Sequence, residues 1–586
     1  MILSTLFAAT ALSTPALQTQ TDLPVRPGLG ISAEPTVQLA FNRLYDTQTL
    51  YRHLDSLVAA WPDLFSGEKI GTSVGGRELR VYTLNDPASG APGTKPAMWI
   101  DANVHGNEVQ GGETILYLAW YVLESRGSNE RIDELLSRVT FYLCPTINPD
   151  GRDHWFAAAN GASSSRSGIS PIDSDGDGLL DEDPTNDLDG DGHVVQMRKY
   201  TPGEGTHRLH PEDPRVMEFV GQSAPRGPGD WTMLGSEGID DDGDGRKNED
   251  GVGGYDMNRS WPSSWQPGHV QFGAGAYPLY WPETRCVADF LLAHPEVAAV
   301  QSFHNAGGMI LRGPGDSGFG NYPRADLGVY DQLGAEGEKM LPFYNYWVIW
   351  DDLYTVFGGF VNWAYEGLGI IAFTNEQWSN DRISPDNRLE DEVSSRHWFS
   401  DQLLMGAGFV DWAPFDHPLY GEVEIGGFVK DIGRTPPAFL IEEESHRNAM
   451  FCLVHAEAIP EVELRVARIE EVGSGVFAVD VQLENTQAIP TRTARASQRK
   501  IGRPDVISFT GDGIEVLAVG RRTDKFRPTE LNLEDGPDPA RLVREQGLFL
   551  GSPIELRYFV RGTGSFTIEF ASEKAGVSSV AGELGN

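Results

Sequence analysis

The fold of this chain follows from Trp99-Ile-Asp-Ala-Asn-Val-His-Gly-Asn-Glu108. The apolar run from Ala97 to Val104 predicts a short buried strand. It stops at His105, and the next two residues, Gly106 and Asn107, favour a turn. Val109 to Leu123 then carries apolar residues at helical spacing. His105 and Glu108 therefore sit where a strand hands over to a helix, at the carboxyl edge where open α/β sheets bind ligands. An imidazole and a carboxylate three residues apart can close on one metal ion, and both suit zinc. Taken alone, the pair also reads as a loop histidine and a glutamate favoured by the helix dipole.

Working outward, Phe41 to Ala60 has helical periodicity, and Gly71 to Asn85 reads as a strand with a Gly-Gly turn. Val139 to Leu143 is a further strand, running into Pro145-Thr-Ile-Asn-Pro-Asp-Gly151. On the other side, Pro282 to Leu292 reads as a helix and Val297 to Phe303 as a buried strand ending at His304. Asp326 to Leu341 is helical, and Gly369 to Thr374 is a strand ending at Asn375-Glu376. Strands alternating with helices predict an α/β fold, with a mixed, mostly parallel central sheet flanked by helices. Three of its strands end at His105, His304 and Glu376. That convergence points to a metal site.

Residues 152–254 interrupt the pattern. They are rich in Gly, Ser and Asp, and a structureless loop of that length needs something to order it. Three runs offer a candidate. Asp173, Asp175 and Asp177 precede Gly178 and continue to Asp181; Asp187, Asp189 and Asp191 precede Gly192; Asp240, Asp242 and Asp244 precede Gly245 and continue to Asp250. Alternate aspartates closed by glycine place hard oxygens around one point, as in the first half of a calcium loop. None has the twelfth-position glutamate of an EF-hand. The alternative is a merely acidic, mobile loop.

The 586 residues carry a formal charge of -39, which argues against nucleic acid or an anionic membrane surface as partner. Three widely spaced cysteines, Cys144, Cys286 and Cys452, make neither a disulfide framework nor a zinc site. Residues 1–20 open on a short apolar run without a basic lead. They read as an export signal, which implies a secreted or periplasmic protein. The run is too short to span a membrane, and no other segment is long enough. Residues 21–36 read as a linker and 37–460 as the main domain. From 461 to 586 short alternating runs predict a separate β-sandwich, helical only near Arg541.

From about Phe41 to Glu457 the chain resembles the zinc metallocarboxypeptidases of the carboxypeptidase A/B type, on several separate motifs. His-Gly-Asn-Glu at 105–108 is similar to the family's His-x-x-Glu zinc motif, and Ser302-Phe-His304 to the strand bearing the third ligand. Tyr255-Asp-Met-Asn-Arg-Ser-Trp-Pro262 resembles its carboxylate-binding segment. The resemblance implies zinc on His105, Glu108 and His304, with Asp256 holding a ligating histidine and Glu376 as catalytic base. Asn258, Arg259 and Tyr354 would bind the substrate's free carboxylate. Gln196-Met-Arg-Lys-Tyr200 would carry the carbonyl-polarising arginine as Arg198, with Arg152, Arg215 or Arg246 as alternatives because of the insertion. Val361 falls at the base of the specificity pocket, which implies neutral apolar C-terminal residues. With no long pro-segment before the domain, activation by propeptide removal is not expected. The implied partners are peptides or proteins with a free C-terminus. A zinc amidohydrolase or endopeptidase of cell-wall peptides, and a non-catalytic calcium-stiffened binding protein, are the other readings.

Overall fold

The structure is a computed structural model that describes residues 29–30, 34–157, 159–161, 166–221, 228–383, 392–522, 530–534 and 536–585. The export-signal reading of residues 1–20, and most of the linker, lie outside the described residues.

Eight strands build the central sheet: β1 (Phe65–Thr72), β2 (Glu78–Leu84), β3 (Ala97–Ala102), β4 (Thr140–Cys144), β5 (Val297–Asn305), β6 (Met309–Arg312), β7 (Asn345–Val348) and β8 (Ile371–Gln377). Their order is β1-β2-β4-β3-β5-β8-β6-β7. The pairs β4-β3, β3-β5, β5-β8 and β6-β7 are parallel, and the other three are antiparallel. This is the mixed, mostly parallel sheet that the strand–helix alternation predicts. β3, β5 and β8 are buried nearly throughout, and each opens on a run of three or four apolar residues before polar ones at its carboxyl end. Successive side chains still divide between the two faces. Met98 and Ile100 enter one core, while Ala97 and Trp99 enter the other.

The helices Thr47–Ala60, Gln110–Ser125 and Ala438–Glu457 bury their apolar faces in the first of these cores. The start of Gln110–Ser125 lies very close to the sheet. A Cβ on Gly111 would come within 2.6 Å of Phe303 Cβ and 2.7 Å of Ala102 Cβ. Glycine there lets the helix begin immediately beside Glu108.

Several elements depart from the expectation: β6 and β7 fall where no strand is expected, and three further departures stand out. The single strand expected over 71–85 is the second half of a hairpin, β1-β2, turning at Gly76 (φ +84°). β1 is mostly exposed, so no apolar alternation announces it. The insertion is not simply a loop: Gln196–Gly205, His207–Leu209, Met217–Phe219 and Gly229–Ser236 join Phe409–His417 and Gly421–Phe428 in a six-stranded antiparallel sheet. Its small core includes Val195, Met197, Val423 and Ile425, so half of it comes from partners more than two hundred residues away. In the C-terminal region Arg541–Arg544 is a strand, and the short helix is Ala494–Arg499.

That C-terminal region packs a five-stranded and a four-stranded antiparallel sheet around one core, with Val479, Ile507, Leu556, Tyr558, Ile568 and Phe570 all buried. Ile554–Arg561 alternates buried with less buried positions, the period-two pattern of a sandwich strand. Among the described residues no helix is long and apolar enough to cross a membrane.

Candidate active site

β3 leads to the first two donors. Past Ala102 the backbone turns at Asn103, a left-handed residue (φ +61°) of the type asparagine tolerates. Its buried amide donates to the carbonyls of His105, Gly106 and Glu108 at 2.5, 3.2 and 3.3 Å, which curls the loop around it. β5 carries His304 and β8 carries Glu376, and the two residues are direct partners across the parallel pair. Strand pairing thus unites residues more than seventy positions apart.

His105, Glu108 and His304 are all buried. Nδ1 of His105 lies 3.0 Å from Glu108 Oε1, and Nδ1 of His304 lies 2.9 Å from Oε2. Despite its short distance, His105 Nδ1 has no hydrogen bond, so a lone pair and a carboxylate oxygen face one point. Its Nε2 sits 2.9 Å from Asp256 Oδ1, which fixes the ring N–H there and leaves Nδ1 free to ligate. The three donor atoms lie within 4.8 Å of one another. Two imidazoles and one carboxylate, with one orphaned buried nitrogen, fit a zinc ion that keeps a position open for substrate.

The electrostatics follow from burial and neighbours. Burial works against the Glu108 charge, but the two imidazoles hold its carboxyl well below the usual range. Burial likewise opposes ionised Asp256, and Arg259, His105 and Arg166 together outweigh it. Glu376 goes the other way: burial and the neighbouring Glu108 push it up to about 7. A carboxyl that titrates near neutrality is suited to moving a proton.

One cavity joins these groups. His105, His304, Glu376, Asn258, Arg259 and Tyr354 line it, and Leu311, Ile349, Val356, Phe360 and Val361 supply its apolar wall. Asp256 caps the turn Met257–Arg259 by accepting from Asn258 N at 2.8 Å. Asn258 Oδ1 accepts from Phe360 N at 2.8 Å, which leaves its amide N 3.4 Å from His304 Nε2. Arg259 is held by the Asn258 carbonyl at 2.8 Å. Tyr354 is half exposed, just after the turn Ile349–Leu353.

Arg198 is elsewhere, and the expectation for it needs correcting. It lies in the inserted sheet, where Nε donates to Glu424 at 2.7 Å and Nη1 to Pro214 O at 3.1 Å. Trp231 and Trp412 cover its guanidinium at 4.5 and 4.2 Å. The alternatives are also engaged elsewhere: Arg152 with buried Glu113, Arg215 with Asp213 and Asp401, and Arg246 with Asp175 and Asp244. Besides Arg259, the arginine that lines the cavity is Arg166. Its Nη1 donates to Glu108 Oε1 at 2.8 Å and its Nε to Asp256 Oδ2 at 3.2 Å. Arg434 approaches the same carboxylate at 3.6 Å while donating to the Asn305 carbonyl at 3.0 Å. Neither has a sequence signal. Arg166 stands in a serine-rich stretch ninety residues before Asp256, and Arg434 follows the hairpin 409–428.

A family model described as zinc carboxypeptidase matches residues 50–173 and 233–396. Arg166 falls inside the match and Arg198 in the gap. A second model, described as a domain of unknown function, matches 461–582. Carboxypeptidase B of Astacus astacus is 36% identical over 112 residues, 19% of this chain and 35% of its own length. Carboxypeptidase A2 of Mus musculus is 32% identical over 111 residues, 19% of this chain and 25% of its own. The chain thus spans about a quarter to a third of the length of these curated relatives. A crystal structure of thrombin activatable fibrinolysis inhibitor aligns with 71% of this chain and 74% of its own, at a TM-score of 0.42 and 17% identity. Through the domain built on His105, Glu108 and His304, the chain belongs to the zinc carboxypeptidase family.

Proposed function

We propose that this chain is a zinc-dependent carboxypeptidase that hydrolyses the C-terminal peptide bond of peptides or proteins, with a preference for neutral apolar C-terminal residues. The observation that carries the reading is a single cavity lined by His105, His304, Glu376 and the Asn258–Arg259 pair, with Glu108 completing the donor triad behind the two histidines. A base beside a metal triad gives hydrolysis, and a fixed cation within the same cavity selects a substrate that ends in a carboxylate.

His105, Glu108 and His304 would hold zinc, which supplies Lewis acidity to the scissile carbonyl and lowers the pKa of water. Asp256 keeps His105 in the ligating tautomer. Glu376 accepts the proton of the attacking water and returns it to the leaving amine. Arg166 stabilises the negative charge that develops on the carbonyl oxygen, in place of Arg198. Arg259 offers a planar fork to the terminal carboxylate, with Asn258 beside it and Tyr354 at the mouth. Val361, with Leu311, Ile349 and Phe360, leaves no buried counter-charge in the apolar wall, so a lysine or arginine side chain would be desolvated there without a partner. Secretion or periplasmic export belongs to the same proposal and rests on residues 1–20.

The test is zinc content by mass spectrometry together with hydrolysis of N-blocked dipeptides bearing free and amidated C-termini. One zinc per chain and cleavage of only the free-carboxylate substrate, faster with Phe than with Arg at the end, is the expected result. Equal cleavage of the amide would move the function to an amidohydrolase or endopeptidase. No zinc and no turnover would favour a binding protein.

A further inference from the structure

The two acidic loops at the ends of the insertion have the same sequence pattern. Residues 173–183 and 240–250 both read Asp-x-Asp-Gly-Asp-Gly-x-x-(Asp or Asn)-Glu-Asp. They also fold alike, residue by residue. Gly176 N donates to Asp173 Oδ1 at 2.6 Å, and Gly243 N to Asp240 Oδ1 at 2.7 Å. Gly178 N and Gly245 N each donate to the other oxygen of the same aspartate at 3.0 Å. Asp181 and Asn248, eight positions on from each first aspartate, share a left-handed backbone at φ +52° and +57°. The last residues of the loops, Asp183 and Asp250, form an antiparallel bridge, which relates the loops by a local two-fold axis.

This arrangement brings the carboxylates of both loops together. Oxygens of Asp175, Glu182 and Asp250 lie within 4.8 Å of one another, as do those of Asp175, Asp244 and Glu249, and of Asp177, Glu182 and Asp242. Each of these groups draws on both loops. An acidic cluster alone signifies little, but here a second observation points to a ligand. Asp250 is fully buried, with Oδ2 accepting from Ser174 N at 3.2 Å and Oδ1 bonded to nothing. Asp183 is fully buried as well. Neither of its oxygens meets the nearby Glu249 carboxyl or the Asp241 and Asn248 amides in hydrogen-bond geometry. Glu182 and Glu249 each keep one buried oxygen unpaired. The two loops hold twelve acidic residues against Arg246 and Lys247. Asp183 and Asp250 are the two of them that are fully buried, and a buried carboxylate needs a compensating positive charge.

We propose that the paired loops 173–183 and 240–250 form a binding site for hard divalent cations of the calcium type, in which Asp250 and Asp183 supply the buried oxygens and Asp175, Glu182, Asp242, Asp244 and Glu249 the rest. An all-oxygen, carboxylate-rich, loop-built donor set suits calcium, since magnesium demands a stricter octahedron and zinc prefers nitrogen or sulfur. The third acidic loop, Asp187–Gly192, makes the same glycine contacts to its first aspartate but has different surroundings. Its acidic neighbour Glu237 already accepts from Val195 N at 2.7 Å and Leu188 N at 3.0 Å, and Asp189 and Asp191 face solvent. It contributes nothing to the site. The site is separate from the zinc donors, and its test reads binding and stability rather than turnover.

The experiment uses the full chain, stripped with a chelator and reloaded with zinc, which is checked by mass spectrometry. Calcium is then titrated by calorimetry and by displacement of bound terbium, with magnesium as the control. The expected result is calcium binding that zinc and magnesium do not replace, and a rise of several degrees in Tm. Asp250→Asn is expected to abolish the calcium-dependent rise while raising the Tm of the calcium-free protein, because it removes a buried, uncompensated charge. A variant that merely misfolds would lower both. Asp189→Asn is expected to leave the response intact. Absence of calcium binding in the wild type, or loss of the response in Asp189→Asn but not in Asp250→Asn, would overturn the proposal.

Discussion

Arg166→Ala is expected to lower kcat by about 10²–10³-fold, the effect of removing one fixed donor that faces developing negative charge. Arg198→Ala is expected to leave kcat unchanged and to lower Tm instead, since that guanidinium is stacked between two tryptophans and bonded to Glu424. Steady-state kinetics and a thermal melt on both variants separate the roles, and a kcat loss confined to Arg198→Ala would reverse the assignment. For the base, Glu376→Gln keeps the shape of the side chain and removes its ability to take a proton. We expect a kcat drop of about 10²–10⁴-fold with zinc content unchanged. Loss of zinc in that variant would mean that Glu376 supports the ligands rather than the reaction.

Two elements bear directly on the site through their packing. The helix Gln110–Ser125 starts against Phe303 and Ala102 with no room for a side chain at Gly111. Gly111→Ala should destabilise the protein by about 1–3 kcal/mol, the usual cost of overpacking. It should also weaken zinc retention on dialysis, because Glu108 precedes that helix by two residues. A variant with wild-type stability would show that the helix can shift at no cost. The helix Ala438–Glu457 buries His455 beside Gln301 and Phe373. Burial lowers the pKa of His455 from 6.5 to about 3. Between those values the unfolded chain binds a proton that the folded chain refuses. Stability is therefore full above pH 6.5 and falls with decreasing pH down to about 3, by about 1.4 kcal/mol per unit. In chemical denaturation, His455→Gln should lose about 2 kcal/mol less than wild type between pH 7 and 5. Parallel slopes for the two proteins would remove His455 from the account.

At the scale of the whole molecule, the C-terminal sandwich is bonded to the α/β domain rather than tethered beside it. Buried Asp326 accepts from Ala494 N and Arg495 N at 2.8 and 2.9 Å and from Tyr365 OH at 2.6 Å. From the turn between the strands Gly564–Ser572 and Gly576–Leu584, Lys574 Nζ donates to the carbonyls of Pro295 and Val297, at the start of β5. Asp326→Ala orphans three donors at the junction, and an unsatisfied buried donor costs about 1–3 kcal/mol. Calorimetry of this variant should resolve two unfolding transitions where the wild type shows one. A single transition at an unchanged Tm would mean that the domains are coupled through other contacts.

The residues whose chemistry is written into local sequence are legible from the chain alone. A buried strand that stops at histidine, a carboxylate three residues on, and two more strands ending in His304 and Glu376 mark both the α/β fold and the candidate metal set. Strand burial leaves a continuous apolar run, and its end marks the sheet edge. Asp256, Asn258 and Arg259 are legible as one short segment. Arg166, Arg434 and the true surroundings of Arg198 are not, because nothing local distinguishes one arginine from another; which guanidinium reaches Glu108 depends on how an insertion of a hundred residues folds back. That insertion hides its own sheet for the same reason, as half of its core lies in the hairpin 409–428. It also hides the pairing of its acidic loops. The sequence by itself determined the central strands β3, β4, β5 and β8 and the donors at their ends, since a buried strand declares itself by its own apolar run. Only the tertiary structure decided which charges meet, because a charge has no periodicity, and its partner is fixed by the packing of distant segments.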